Sequence, residues 1–545
     1  MANPKPARNQ AGDASRPEDA LKARMIGAQT LLAAVAAKTQ GQHPRKPFNA
    51  PPASKAERKA SKKAIELTSE ATKALHARRY KVAETLFDQA IALFPSPPHR
   101  LLINRLTAAS KAANHAYVAE HYPQVRAMAK TDDEKATVDH IWIDCLVAAG
   151  YPDQALELIE VWRTSDVKTW ASIQTVAGII EEDRGNFDRA MAIQEAILAR
   201  DPDCAVARWH LSLHQMAAGK LPEAFQNYDI RWEISDFPSE HRKFEISRWQ
   251  GEALEGKKIL VWREQGVGDE IRFAGLLSDL VMAGADVTFE CTAKLVPLFR
   301  PSLPDIKVTP VVPAANRTPA LYAEFDFETP LGSLARFLRP SAEALQAKAR
   351  PFLKRSPEIE NNVREAMNAR PDQPVIGLCW RSSLRNLHRD KNYLRAEHIA
   401  ALKLLGRSGF ICLQYDQCGE EVAIMQELGL PVTQFSSIDQ MNDLAGAALL
   451  AGACDLVISA GTATAELAAG LGVPTLLFGP QHSRIRLGTD GMPWHAATRY
   501  MPTIPDEPIE LMKTILFDWE KIAAWAEDKS ISGRKIDWSQ SYPGA

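Results

Sequence analysis

The chain has 545 residues, 46% of them apolar and 24% charged, and 65 basic against 67 acidic side chains leave a formal net charge of -2. That length has room for about three or four domains, and the balanced charge points to neither nucleic acid nor an anionic membrane as a partner. No apolar run approaches the roughly 20 residues of a membrane-spanning helix, Met1–Ala20 lacks the apolar centre of a secretory signal, and the seven cysteines form no Cys-x-x-Cys pair, so a cytoplasmic protein with reduced thiols is expected.

Residues 1–60 are rich in Ala, Pro, Lys and Arg and poor in aromatic side chains, the composition of a disordered basic arm. Met25–Val35 within it has the pattern of a short helix, either a loose terminal one or a segment for a partner. From 61 to 235 a repeat runs. Tyr80, Tyr117, Tyr151, Phe187 and Leu221 each stand just ahead of an alanine: Ala83, Ala119, Ala155, Ala190 and Ala224. Gly150, Gly185 and Gly219 occupy the equivalent turn of the last three copies, and Pro95 and Pro202 follow helices. A helix–turn–helix pattern with a period near 34 residues is the tetratricopeptide signature. Such repeats stack into an α superhelix whose concave face holds a peptide or protein; the plainer alternative is a spacer. Residues 236–256 form a polar connector.

In the next stretch, 257–356, Ile259–Trp262 is an apolar strand and Gln265-Gly266-Val267-Gly268-Asp269 a glycine turn. Ile271, Phe273, Leu276, Leu277, Leu280 and Val281 then recur at the spacing of one helix, and Ala285–Phe289 is a second strand. Strand, turn, helix, strand is a unit of a parallel α/β sheet, which places ligands at the carboxyl ends of its strands. Further strands are expected at 306–312 and 326–329. A second α/β lobe spans 357–528, with strands at 375–380, 409–415, 455–459 and 474–479. Between the last two, Gly461-Thr462-Ala463 opens a helix, whose amides suit a phosphate. Ile509–Ala526 is a final amphipathic helix, and 529–545 reads as a loose polar tail.

The motif Glu264–Asp269 resembles the N-terminal motif of bacterial heptosyltransferase-like glycosyltransferases. It is nearer still to proteobacterial proteins in which tetratricopeptide repeats precede such a domain. Arg231-Trp232, Trp249-Gln250-Gly251, Gly488-Thr489 and Pro493-Trp494 are similar to further landmarks of that group, so the similarity spans most of 60–520. The resemblance implies the GT-B fold, two Rossmann-like lobes facing across a cleft, without a metal motif and with a last helix that returns to the first lobe. It also implies that Asp269 is the catalytic base. One departure stands out. Where the family commonly has Asp-Thr and a nearby His, this chain has Gly461-Thr462 and Glu466. A lost cation and a gained carboxylate weaken the hold on a nucleoside diphosphate and agree with a CMP-linked donor, which has one phosphate.

Each candidate has a functional and a plain reading. Asp269 takes a proton from an acceptor hydroxyl or caps its helix. Gly266 and Gly268 let backbone approach a substrate or merely turn the chain. Arg381, with Ser382 beside it, follows a strand end and neutralises the leaving phosphate or forms a surface ion pair. Arg389 and Lys391 are weaker cations of the same region. Gln414 bonds a base or ribose. Gly461, Thr462 and Ala463 offer backbone amides and a hydroxyl to phosphate. Glu466 bonds a sugar hydroxyl or lies on a solvated helix face. No metal and no cofactor is expected; the nucleotide-sugar is a substrate.

The expected function is a glycosyltransferase that recruits a protein acceptor through its repeats and glycosylates a Ser or Thr hydroxyl. Similar repeat-linked proteins of flagellated alphaproteobacteria modify flagellin before export, some with a nonulosonic acid such as pseudaminic acid, so flagellin is the acceptor that the resemblance implies. The competing expectation is a transferase fold without turnover, acting as a protein-binding assembly or chaperone factor; Gly461 and Glu466 favour it.

Overall fold

The computed structural model describes residues 55–541 except 78, 95, 163–165, 235–236, 384–386 and 506. The basic arm up to residue 54, with Met25–Val35, lies outside the described residues. The chain divides into two compact units, 1–177 and 178–545.

The first unit is helical: Lys55–His76, Tyr80–Ile91, His99–Lys111, His115–Met128, Asp132–Ala148, Pro152–Val161 and the beginning of Val167–Asp183. The repeat alanines Ala83, Ala119 and Ala155 are at most 1% exposed; a methyl group there lets neighbouring helices approach closely. Leu67, Phe87 and Leu101 pack around Ala83. Buried polar groups tie successive helices. Arg105 donates to Asp88 at 2.6 Å and to Glu84 at 2.9 Å. Asp139 accepts from Arg126 at 2.7 Å and from Tyr122 at 2.8 Å.

The second unit starts with the remaining helices, Phe187–Arg200, Ala205–Ala217 and Leu221–Tyr228. Gly185, ahead of the first of them, and Gly219, ahead of the last, turn the chain at φ +79°, a left-handed conformation that glycine adopts without steric cost. Two parallel sheets follow. The first comprises β1 (Ser247–Arg248), β2 (Lys258–Trp262), β3 (Asp286–Cys291), β4 (Lys307–Pro310) and β5 (Phe327–Pro330), in the order β1-β5-β2-β3-β4. The second comprises β6 (Val375–Cys379), β7 (Gly409–Cys412), β8 (Val432–Thr433), β9 (Leu456–Ala460), β10 (Thr475–Pro480) and β11 (Thr498–Thr503), in the order β11-β10-β9-β6-β7-β8. Every strand pair is parallel. Strand order reverses beside β2 in the first sheet and between β6 and β9 in the second. A crevice opens at the carboxyl ends of strands at such points.

Four features differ from the sequence reading. The helix after the glycine turn breaks into Val267–Ala274 and Leu277–Met282. The expected border at 235/236 does not separate two cores. Leu213, Met216, Leu221, Phe225 and Tyr228 bury their side chains in one cluster with Ile259, Val261 and Ile271 of the first lobe. Arg231, fully buried, donates to Glu264 at 2.7 and 2.6 Å and to the Tyr228 carbonyl at 3.1 Å. The last helices, Pro508–Phe517 and Trp519–Lys529, brace the second lobe and not the first: Leu511, Met512, Ile515 and Trp519 share a core with Ile376, Leu378 and Phe410. The described part of the tail, 530–541, is docked on that same lobe. Arg534 reaches Asp455 at 2.9 Å, and Trp538 is 6% exposed.

Candidate active site

The glycine turn is held from both sides. Glu264, the first residue of the motif, is 1% exposed and accepts from Arg231 and, at 2.6 Å, from the Gly332 amide. Gln265 then takes a left-handed φ of +58°, uncommon for a residue with a side chain. Its amide donates to Ser239 at 2.6 Å and its side chain to the Tyr228 hydroxyl. Gly266 caps the helix Val267–Ala274, and Asp269 Oδ2 reaches back to accept from the Gly266 amide at 3.2 Å. Asp269 therefore caps from inside the first turn of its helix. Its other oxygen accepts from Arg272 at 3.2 Å, and 31% of the side chain remains exposed. Burial pushes its carboxyl above the usual range; Arg272 and the Gly266 amide counter this, and Glu466 and Glu264 add to it.

Asp269 borders a cleft of about 440 Å³ between the carboxyl ends of the two sheets. Gly266, Gly268, Arg272 and Lys294 line it from the first lobe. Ser382, Ser383 and Tyr415, at the ends of β6 and β7, and Gly461, Thr462, Ala463 and Glu466, after β9, line it from the second. The structure thus brings Asp269, Gly266, Gly268, Ser382, Gly461, Thr462, Ala463 and Glu466 together around one cleft. Gly268 is closely approached: a Cβ there would stand 3.3 Å from Ala463 Cα, a tight contact, where the two lobes' helices meet. Gly461 is not, since nothing lies within 4 Å of a Cβ built on it.

Arg381 and Gln414 are corrected. Neither is among the residues that line the cleft. The Arg381 guanidinium turns away to Glu421, at 2.8 and 3.1 Å, and to Asp416, and these carboxylates raise its pKa. Gln414, 2% exposed, spends its amide on the chain around it, donating to the Arg381 carbonyl at 3.0 Å and accepting from the Trp380 amide at 3.2 Å. Both residues hold the ends of β6 and β7 together, and their side-chain bonds go to the chain around them. Lys391 does not line the cleft, nor does Arg389.

Glu466 also differs from both of its expected roles. It borders the cleft, yet it is 2% exposed and each oxygen is taken. Oε1 accepts from Arg272, at 3.0 Å from Nε and again from the terminal nitrogen, and Oε2 meets His495 Nε2 at 2.8 Å. Burial alone would raise its carboxyl; Arg272 and His495 outweigh that and hold it below the usual range. Asp269, Arg272, Glu466 and His495 therefore form one hydrogen-bonded chain across the lobe interface. Sequence reasoning missed Arg272, Lys294, Tyr415 and His495. Arg272 stands one helical turn after Asp269, a spacing at which side chains meet, and that signal was available. Lys294 donates to the Met441 carbonyl at 2.7 Å across the cleft, a contact no local pattern announces. Tyr415 pins the turn after β6, accepting from the Ser383 amide at 3.1 Å and donating to Ser382 at 3.4 Å.

Fold and site together define a two-lobed parallel α/β protein with a carboxylate-bearing cleft between its lobes, preceded by helix pairs. No family model matches the chain. It is similar to Protein FlbA of Caulobacter vibrioides, 32% identical over 346 residues that make up 59% of this chain and 56% of that protein. The chain thus spans little more than half the length of the curated relative it matches. Among solved structures it is similar to the glycosyl transferase family 9 protein of Veillonella parvula, with 16% identity, 51% of this chain and 98% of that one covered, and a TM-score of 0.37. It is likewise similar to the ADP-heptose lipopolysaccharide heptosyltransferase II of Escherichia coli, with 14% identity, 50% and 100% covered, and a TM-score of 0.38. Among the described residues no helix is long and apolar enough to cross a membrane.

Proposed function

We propose that the protein is a glycosyltransferase that moves a sugar from a nucleotide-activated donor onto a Ser or Thr hydroxyl of a protein. One observation carries this reading: Asp269, with its carboxyl raised by burial, borders the same cleft as the Gly461-Thr462-Ala463 turn. A carboxylate of raised pKa is suited to accept a proton near neutral pH, and the amides at a helix N-terminus are suited to phosphate. In the proposed step the acceptor oxygen attacks the anomeric carbon and its proton passes to Asp269. The bond from that carbon to the donor phosphate breaks, and the nucleotide leaves with the bonding pair. Arg272 is committed to Glu466 and Asp269, which leaves Lys294 and the Thr462–Ala463 amides as the groups suited to donor charge. This modest positive set agrees with a donor that carries one phosphate, as in a CMP-linked nonulosonic acid. The helix pairs are the proposed holder of the acceptor protein, for which flagellin, modified in the cytoplasm before export, is our candidate.

The test is intact-mass measurement of flagellin and other surface proteins from cells with and without the gene. A sugar-sized mass lost with the gene supports the reading; unchanged masses across the set refute it. A second reading, a protein-binding factor without turnover, draws on the Arg272–Glu466 pair, which spends on a carboxylate a cation that a phosphate would use. Under it, Asp269→Asn restores every phenotype of a deletion strain, whereas a transferase with this base does not.

A further inference from the structure

We propose that Glu466 and His495 are positioning residues for Asp269: by holding the Arg272 guanidinium across the lobe interface, they leave Asp269 with one bond from that cation while the lobes are together. The role given to Asp269 rests on the transferase reading above; the coupling between the lobes does not.

Arg272 shares a helix with Asp269 and stays beside it whatever the second lobe does. Its guanidinium has five N–H donors in a fixed fork. One nitrogen donates to Asp269 at 3.2 Å, while Nε, at 3.0 Å, and the other terminal nitrogen turn to Glu466. Glu466 sits on the second-lobe helix Ala463–Gly470, so its hold on Arg272 exists only when the lobes meet. His495 fixes the remaining Glu466 oxygen at 2.8 Å. The next residue back, Trp494, is wedged between Phe273 of the motif helix, 5.3 Å between ring centres, and Phe225 of the last helix pair, 6.4 Å away. His495 is therefore placed by packing that touches three parts of the unit.

The remaining groups that face Asp269 are the Gly266 amide on its own turn, Glu264 at the end of β2 and Tyr228 of the last helix pair. Of all of them, Glu466 alone belongs to the second lobe. When the lobes part, it leaves, and Arg272 is free to turn more of its fork onto Asp269. A closer cation favours the ionised carboxylate and lowers its appetite for a proton. When the lobes close, Glu466 takes that cation back. The proposed base thus becomes strongest once the cleft has assembled around its substrates, and a water molecule in the open cleft meets a weaker one.

The experiment follows the side-chain carboxyl of Asp269 by carbon-13 NMR in the full-length protein labelled at aspartate, the signal being identified by its loss in Asp269→Asn. Glu466→Gln is expected to move the Asp269 midpoint to lower pH by about one pH unit, within the usual effect of a close opposite charge. In an Arg272→Gln background the same substitution is expected to move it by less than about a third as much, because Glu466 then has nothing to withdraw; the double-mutant cycle isolates that coupling. An unchanged midpoint in Glu466→Gln overturns the proposal. So does an equal shift with and without Arg272, which would make the effect one of direct repulsion. Should Glu466→Gln not fold, His495→Ala and His495→Gln carry the same comparison. The alanine is expected to shift the midpoint in the same direction, and the glutamine, which keeps a donor for Glu466, to return it; equal midpoints in the two overturn the proposal. Midpoints that move as stated in a protein that transfers no sugar support the coupling and overturn the transferase reading instead.

Discussion

Where the chain is cut decides whether the two lobes fold. A chain beginning at Phe237 keeps both sheets but loses Leu213, Met216, Leu221, Phe225 and Tyr228, all of which are under 10% exposed and packed against the first lobe. Burying a large apolar side chain contributes about 1.5–3 kcal/mol, so these five are worth on the order of 10 kcal/mol. The cut also removes Arg231, leaving Glu264 buried without its cation. Breaking a buried pair this way costs about 3–5 kcal/mol. The loss matches the whole stability of a typical domain, about 5–15 kcal/mol. A chain beginning at Val167 keeps all of these contacts and cuts at the start of a helix. We expect 167–545 to melt cooperatively and 237–545 to be unfolded or aggregated, read by circular dichroism and size-exclusion chromatography. Equal melting of the two chains would refute the shared core.

Asp269→Asn retains an oxygen for the Gly266 amide and cannot take a proton; we expect a folded protein that binds donor and has lost about 100-fold or more in transfer rate, measured with labelled donor under single-turnover conditions. Arg381→Ala leaves Asp416 and Glu421 without their cation and is expected to lower stability in urea by about 1–3 kcal/mol, with nucleotide-sugar affinity unchanged in calorimetry. Gly268→Val sets a branched side chain against Ala463 and is expected to cost about 1–3 kcal/mol by overpacking, also read in urea. Glu466 is held below its ordinary value of 4.5, so the stability it contributes is complete above that value and is lost as pH falls through the folded one. Asp269, held above its ordinary 3.8, has the opposite sign: stability falls as pH rises from there through its folded value. Acid titration of wild type and Glu466→Gln should therefore converge as the pH falls from 4.5 through the lower folded value of Glu466, and curves that stay parallel would contradict this sign.

The elements that could be read from the sequence are those in which a few neighbouring residues decide the structure. Ile259–Trp262 and Leu456–Ala460 are buried strands because they are short apolar runs, and the turns after them carry glycines where helices begin. β1, β8 and β11 escaped notice; the first two span two residues each, and β11 is an edge strand that carries Pro502. Asp269, Gly268 and Thr462 were legible because strand, turn and helix place them without help from distant residues. Arg381 and Gln414 were misread for the complementary reason. Position at a strand end is local, but the direction of a side chain is set by its partners, and Asp416 and Glu421 lie 35 and 40 residues further on. Glu466 is the extreme case, since its cation stands 194 residues earlier.

The same distance dependence explains why the helix pairs belong to the site's scaffold. Gln265 stays left-handed only if its surroundings outweigh the cost, about 1–3 kcal/mol for such a residue. The surroundings that do so are Tyr228 and Ser239 on Gln265 itself and Arg231 on the residue before it. Tyr228 and Arg231 come from the end of the last helix pair, and Ser239 from the connector. Without them the turn is free to relax, the Gly266 amide leaves Asp269, and one of the groups that lower its carboxyl is gone. The geometry of the proposed base is therefore set by residues of the helical region as much as by the lobe that carries it.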